Sequence, residues 1–383
     1  MGRAGTTVRA LITVYDMVTF LSLKSAVPAA LLLMALSGCA VPYSPEEPAW
    51  YAPEADSLLV NVVFSISGAE STKVTGVSYE DESAIGRWAV FAFDSRAGHF
   101  RRESSDTEAP LTLQLIAGRN YTCYAIVNYP LTGTGAFDPS SVRTSDDLTE
   151  KVAYLGDNRK QALLMFGNAS VTPMQGAAQN VTINVKRLVS RIDLRGLTVD
   201  FSAKPNLAGK TFTLRSVYVT NAYRTSLYGN DYSFQELSGT RQAWYNTGGW
   251  HRGESPESSI DALLGDIGIN TVISAGNPYT VNHSFYTFPN PTGEAEDIRT
   301  IGGWTRRCTR LVIEASIGSD IVYYAITAPQ MERNCIYAAS NVIIRGRGSN
   351  DPEIIDIDPD IIMADIVPII DDSWDGAGNI VLD

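Results

Sequence analysis

Short apolar segments separated by Gly, Pro, Asn and Asp recur along this chain, and they constrain its fold more than any other feature. Segment 58–66 alternates so that Val62, Phe64 and Ile66 share one face, and similar segments lie at 87–94, 111–116 and 121–128. Apolar residues at every second position are typical of half-buried β-strands. Many such strands with turn residues between them predict an all-β fold.

The same pattern predicts how the strands are connected. We expect the segments at 87–94, 111–116 and 121–128 to form a meander. Further strands are predicted at 163–166, 181–185, 211–221, 269–274, 283–288, 308–317, 321–327 and 336–345.

One short helix is predicted after Ser145, because Ser145 is a good N-cap and acidic residues fill the first turn. The face of that helix is predicted to carry Leu148, Val152 and Leu155. This is the one helix that the sequence predicts.

Length and charge limit the domain organisation and the partners. The chain has 383 residues and a formal net charge of −12 at pH 7. That length suits two domains, which we place at 57–185 and 186–383. The acidic balance argues against nucleic acid or an anionic membrane surface as a partner.

The N-terminus has the layout of a bacterial lipoprotein signal. The positive charge of Lys24 precedes an apolar run at 26–36, and small residues come directly before Cys39. A charged start, an apolar core and a small-residue cleavage site are the marks of an export signal. We therefore assign 1–38 to the signal region, with Met17 as the translation start.

The segment after the signal reads as a tether. Residues 39–56 hold four prolines and would begin with an acylated Cys39. A Pro-rich segment is extended and semi-rigid, and acyl chains anchor at about 0.8 kcal/mol per buried CH₂. The sequence therefore predicts a lipoprotein anchored in the outer membrane.

No catalytic, cofactor or metal constellation is visible, which predicts a protein that is not an enzyme. There is no G-x-S-x-G motif and no phosphate-binding loop. The three histidines have no ligand-spaced partners: His99, His251 and His283. The remaining cysteines, Cys123, Cys308 and Cys335, contain no CxxC pair. Two interpretations stay open for Cys308 and Cys335: a disulfide after export, or buried free thiols.

Two acidic stretches lie near the C-terminus, and we interpret both as solvent-exposed surface and not as metal sites. Asp371-x-Ser373-x-Asp375-Gly376 matches half of a calcium-binding loop, but its twelfth position is Leu382, where such loops need Glu. The alternating acids Asp356, Asp358 and Asp360 predict a charged strand edge, which discourages pairing.

The weakly patterned loop at 223–265 supports an alternative function. It is rich in aromatic residues, which can stack on sugars or anchor a protein partner. Packing beneath a long loop is the other interpretation. The aromatic residues concerned are Tyr223, Tyr228, Tyr232, Trp244, Tyr245 and Trp250.

Several motifs, in order, resemble those of the fimbrillins of Bacteroidales, which are type V pilins. After the signal and first strand come the segments at 88–94 and 124–130, the basic strand 185–192, and the segment 285–291. The segment that resembles the family most combines Tyr323-Tyr324-Ala325-Ile326, Arg333-Asn334-Cys335-Ile336-Tyr337 and Ile343-Ile344-Arg345-Gly346-Arg347-Gly348-Ser349-Asn350-Asp351-Pro352. The resemblance implies two tandem transthyretin-like β-sandwich domains.

The resemblance also implies a mode of assembly. In that family a protease removes the first strand, here the one carrying Val62, Phe64 and Ile66, and a neighbouring subunit's strand fills the vacated groove. The loop at 67–86 offers Lys73 for processing, and the next basic residue, Arg87, borders the following strand. The donated strand would be the C-terminal tail, through Ile362, Ala364, Ile366, Ile370 and Trp374.

These observations together predict a structural fimbrial subunit or fimbria-associated lipoprotein that acts in adhesion. Its partners would be other fimbrial subunits, the outer membrane through the lipid anchor, and a host or bacterial surface receptor. The alternative is a surface glycan-binding lipoprotein of two β-sandwiches that uses the aromatic loop.

Overall fold

The computed structural model describes residues 58–67, 82–96, 100–176, 178–229, 244–245, 263–291, 308–351, 361–364 and 366–369. All of them lie in one unit, Pro48–Asp383. Within the described part the fold is nearly all β, which confirms the predicted fold class.

The N-terminal half forms one seven-stranded sheet in the order β3-β2-β5-β7-β8-β1-β4. Its strands are β1 (Leu59–Ser67), β2 (Trp88–Asp94), β3 (Phe100–Ser105), β4 (Leu111–Ile116), β5 (Tyr121–Val127), β7 (Met165–Val171) and β8 (Gln179–Arg187). The first part of β8 pairs with β1, and its last residues pair with β7. The two ends of the sheet enclose one apolar cluster, which includes Phe64, Trp88, Leu113 and Cys123.

Two short elements differ from the prediction. The helix α1 is only Asp146–Thr149, because the next residues form β6 (Val152–Tyr154), which pairs with β13 (Thr225–Leu227). Leu148 is buried as expected, but Val152 and Leu155 do not continue a helical face. Short 3₁₀ helices occur at Pro139–Ser141 and Leu155–Asp157.

The predicted meander is wrong. β2 pairs with β3 on one side and with β5 on the other, whereas β4 lies at the far edge of the sheet beside β1. The cause is β3, whose polar sequence gave no strand signal and which occupies the edge next to β2.

The C-terminal half contains three larger sheets, with the orders β15-β11-β17-β18, β16-β9-β19-β22 and β10-β20-β21. The first two contribute to one large apolar cluster, in which Leu214, Ile313 and Tyr324 meet Ile192 and Phe285. Their strands are β9 (Ser190–Leu194), β10 (Leu197–Val199), β11 (Phe212–Thr220), β15 (Gly265–Ile273), β16 (His283–Thr287), β17 (Arg310–Ile317), β18 (Asp320–Thr327), β19 (Ile336–Ala339), β20 (Val342–Ile344), β21 (Ile362–Met363) and β22 (Val367–Ile369).

The remaining strands lie in the segment predicted as a long loop. β12 (Ala222–Tyr223) pairs with β14 (Trp244–Tyr245). The predicted boundary near residue 185 falls inside β8, and the division into two domains at that point stays a prediction.

Candidate functional site: the groove around the first strand

Strand β1 lies inside its sheet rather than at an edge. It pairs antiparallel with β4 and parallel with β8, so that Phe64 stands opposite both Leu111 and Val181. A strand between two neighbours satisfies its backbone groups on both sides. The chain therefore inserts its first strand between two segments that are distant from each other in sequence.

The predicted inward face of β1 is buried. Val62 and Phe64 are both 0% exposed and belong to the apolar cluster of the N-terminal half, and Ile66 is partly buried against it. Side chains between them point away from this cluster, and Asn61 is exposed. Fully burying a side chain such as Phe contributes about 1.5–3 kcal/mol, so β1 supplies a substantial part of this core.

The outward face and the start of β1 are also bonded to the rest of the sheet. The hydroxyls of Ser65 and Thr182 are 3.2 Å apart, and the backbone N–H of Ala117 donates to the Leu58 carbonyl at 2.9 Å. Without β1, the facing edges of β4 and β8 would both carry unpaired N–H and C=O groups above an apolar groove. Such a groove accepts an extended strand with apolar residues at alternate positions.

The chain that leads into β2 is fixed at Glu82–Gly86. Asn128, buried and with a φ of 56°, donates from its side-chain amide to the carbonyl of Ala84 at 2.9 Å. Its side-chain oxygen accepts the Gly86 N–H at 2.8 Å. Asn128, the asparagine within the 124–130 motif, therefore holds this segment in place.

A buried network of charges adjoins the same segment. The Glu82 carboxylate accepts two hydrogen bonds from Arg191 at 3.0 and 2.9 Å, and the hydroxyl of Tyr286 also donates to it. Asp193 lies on the other side of Arg191, with 3.0 Å between Oδ1 and Nε, and it also accepts from Arg195. Burial, and next the Glu82 carboxylate, raise the pKa of Tyr286 well above its ordinary value. A buried ion pair needs partners of this kind to offset desolvation.

The motifs that carry the family resemblance form further contacts of this structural type. Arg187 donates to the Glu82 carbonyl and to the side-chain oxygen of Asn334. Arg333 donates to the carbonyls of Leu227 and Tyr228. These arginines tie loops and strand ends together.

The Gly-containing end of the same motif follows a comparable logic. The Tyr324 hydroxyl donates to the Gly346 carbonyl at 2.8 Å. At Gly348 a side chain would overlap the backbone of Tyr323, so only glycine fits that approach.

The three described cysteines, Cys123, Cys308 and Cys335, are buried, and no disulfide joins them. Between the two interpretations left open for Cys308 and Cys335, the structure therefore has thiols and not a disulfide. Burial raises the pKa of the Cys123 thiol to about 12, which makes a reactive thiolate scarce at neutral pH.

Sequence reasoning missed the environment of His283. Its ring lies 2.9 Å from the Tyr279 hydroxyl and 2.6 Å from the Asp266 carboxylate. Asp266 is seventeen residues earlier in sequence, on β15, and no local spacing signalled this contact. Two of the loop aromatics, Tyr223 and Tyr228, are buried in the large apolar cluster. For these two residues, the structure agrees with packing beneath the loop.

The described part of the tail pairs with the chain's own sheets. β21 is antiparallel to β20, and β22 is antiparallel to β19. Ile366 is 6% exposed, and Ile362 and Ala364 are partly buried against the large cluster. Since β22 is the last strand of its sheet, Pro368 lies at a sheet edge.

Other predicted residues lie outside the described residues. They are Met17, Lys24, Cys39, Lys73, His99, Tyr232, Trp250, His251, Asp356, Asp358, Asp360, Ile370, Asp371, Ser373, Trp374, Asp375, Gly376 and Leu382. Within the described part, no group of three or more His, Cys, Asp or Glu side chains could hold a metal ion. Over the same residues, no helix has the length and apolar character needed to cross a bilayer.

Solved structures provide the decisive comparison. A candidate cell adhesion protein from Bacteroides eggerthii is similar at 17% identity and a TM-score of 0.57, over 83% of this chain and 97% of that one. A fimbrillin from Porphyromonas gingivalis is similar at 16% identity and a TM-score of 0.51, over 83% and 98%. This chain has the fimbrillin fold.

A third solved structure extends the comparison. A candidate cell adhesion protein from Parabacteroides distasonis is similar at 15% identity and a TM-score of 0.54, over 82% of this chain and 99% of that one. No protein-family model and no curated protein matches the chain. The fimbrillin fold is therefore established here by structure, at identities too low to carry function.

Proposed function

We propose that this protein is a fimbrial subunit, or a fimbria-associated surface lipoprotein, that acts in adhesion and assembles by β-strand complementation. The observation that supports this most is the position of β1, which lies between β4 and β8 with Val62 and Phe64 fully buried. A strand in that position can be replaced by an incoming strand that restores the same hydrogen bonds and the same apolar contacts.

Two ends of the chain have roles in this proposal. Removal of β1 requires cleavage before β2, and we assign it to the segment that contains Lys73. The C-terminal tail, which includes Ile366, Ile370 and Trp374, is the donor. Its cis pairing through β21 and β22 supports its competence to form strands.

Assembly by strand complementation predicts polymers that resist detergent. The test is electrophoresis of surface extracts in SDS without heating, followed by mass spectrometry of each band. We expect a ladder whose polymer bands lack peptides from 59–67, together with a monomer band that retains them. A gel that shows a monomer band and no ladder would contradict the proposal.

The lipid anchor is tested separately at Cys39. Only a thiol at this position can take the diacylglycerol, so Cys39→Ala should abolish labelling by a radioactive fatty acid. Cys123→Ala is the matched control, because that buried thiol lies outside the signal, and its label should equal wild type. Equal label in Cys39→Ala and wild type would refute the anchor.

A further inference from the structure

The segment Glu82–Gly86, here called the clamp, is held by hydrogen bonds to residues that lie outside β1. Glu82 is 5% exposed, and its carboxylate contacts Arg191 of β9 and Tyr286 of β16. Those strands belong to the C-terminal half. The Glu82 carboxylate is therefore buried against the C-terminal half of the chain, whereas β2 belongs to the N-terminal sheet.

The other hydrogen bonds of the clamp come from the N-terminal sheet, and one of them from β8, the strand that also pairs with β1. Arg187, at the end of β8, donates to the Glu82 carbonyl at 3.2 Å. Asn128, just after β5, bonds both Ala84 and Gly86. None of these hydrogen bonds uses a residue of β1 as its donor or acceptor.

We propose that Glu82 is a positioning residue that holds the start of β2 in place whether or not β1 remains covalently attached. The part of the chain from Glu82 onward is then a preformed receptor for the first strand. This inference rests on the proposed function, since it concerns how the groove survives an exchange of β1.

The physical reason is the number of tethers. The first residues of β2 pair with β3 and β5, and the Asn128 N–H donates to the Arg87 carbonyl at 2.8 Å. In the intact chain, the segment before β2 is held in addition by the clamp and by its covalent connection to β1. After cleavage in the connection, the clamp is the tether that remains on that segment. A linked second contact raises the effective concentration of the first, so loss of the Glu82 contacts should matter more in the cleaved protein than in the intact one.

The experiment uses the exported protein with a recognition sequence for a specific protease inserted between Ser67 and Glu82. Glu82→Gln removes the charge at nearly constant shape. Glu103→Gln is the matched control, because it makes the same change on the exposed face of β3. The rate of limited digestion by a second, nonspecific protease is measured for each variant before and after the specific cut, since such digestion follows local opening.

For each protein we compare the factor by which the cut raises the digestion rate. We expect this factor to be at least about ten times larger for Glu82→Gln than for wild type, which corresponds to a tenfold change in the opening equilibrium. Glu103→Gln should behave like wild type. The same factor for all three proteins would overturn the inference. If intact Glu82→Gln does not fold, Tyr286→Phe replaces it; it keeps the ring, removes one donor to Glu82, and should show the same effect in smaller size.

A second readout separates this inference from the proposed function. The cut protein is incubated with a fluorescent synthetic peptide of residues 57–69, and incorporation is followed by gel filtration. Failure of the peptide to exchange in every variant would count against strand complementation. The digestion comparison would still decide the role of Glu82.

Discussion

At the scale of single residues, Phe64 provides the sharpest test of the burial of β1. Its ring is fully buried between β4 and β8. Phe64→Asp should lower the free energy of unfolding of the precursor by roughly 3 kcal/mol or more, because it buries an unpaired charge. Chemical denaturation measures the change. Asn61→Asp, on the exposed face of the same strand, should stay within about 0.5 kcal/mol of wild type; coincident curves for all three proteins would show that β1 is not buried.

Gly167 controls the point where β8 passes from β1 to β7. It stands opposite Val185, and a side chain there would overlap the Asn184 carbonyl oxygen. Gly167→Ala should therefore cost about 1–3 kcal/mol through overpacking against rigid backbone. At Gly86 the nearest atom to an added Cβ is 3.6 Å away, so Gly86→Ala is the control and should change stability by less than about 1 kcal/mol. Thermal unfolding of the two variants checks the difference, and equal losses would contradict the close approach at Gly167.

At the scale of elements, apolar alternation predicted most strands of the two halves. β1, β2, β4, β5, β11, β17 and β18 lie within about two residues of their predicted positions, a normal boundary error. The pairing order was less accessible, because β3 has one buried apolar residue and an edge strand needs no apolar face. The partner of β4 is β1, more than forty residues earlier, and local patterns do not encode such contacts.

The buried charges show a second limit of sequence reasoning. The family resemblance predicted a basic strand at 185–192, yet all five residues of β9 are buried, including Arg191 and Asp193. Arg191 and Asp193 can be buried because they form an ion pair with each other. The second acidic partner of Arg191 is Glu82, which lies in a polar segment with no strand or helix signal. The burial of Val62 and Phe64 was thus predictable from their alternation, whereas the contacts of Glu82 were not.

At the scale of the whole molecule, the tail decides between folding and assembly. Deleting 361–383 removes β21 and β22, which lie at sheet edges. We expect the truncated protein to fold and be exported but to form no SDS-resistant ladder, because edge strands contribute less packing than central ones. Protease resistance of the truncated monomer provides the control. A truncated protein that is digested rapidly would assign the tail to its own fold, and one that still forms ladders would exclude it as the donor.

The central claim is that this protein is part of a surface fibre. The most direct test is electron microscopy of intact cells with a gold-labelled antibody against this protein. Cells that lack the gene are the control. We expect gold on fibres that project from the cell surface, at the shaft, the tip or the base. Gold confined to the cell envelope, with fibres unlabelled, would contradict it.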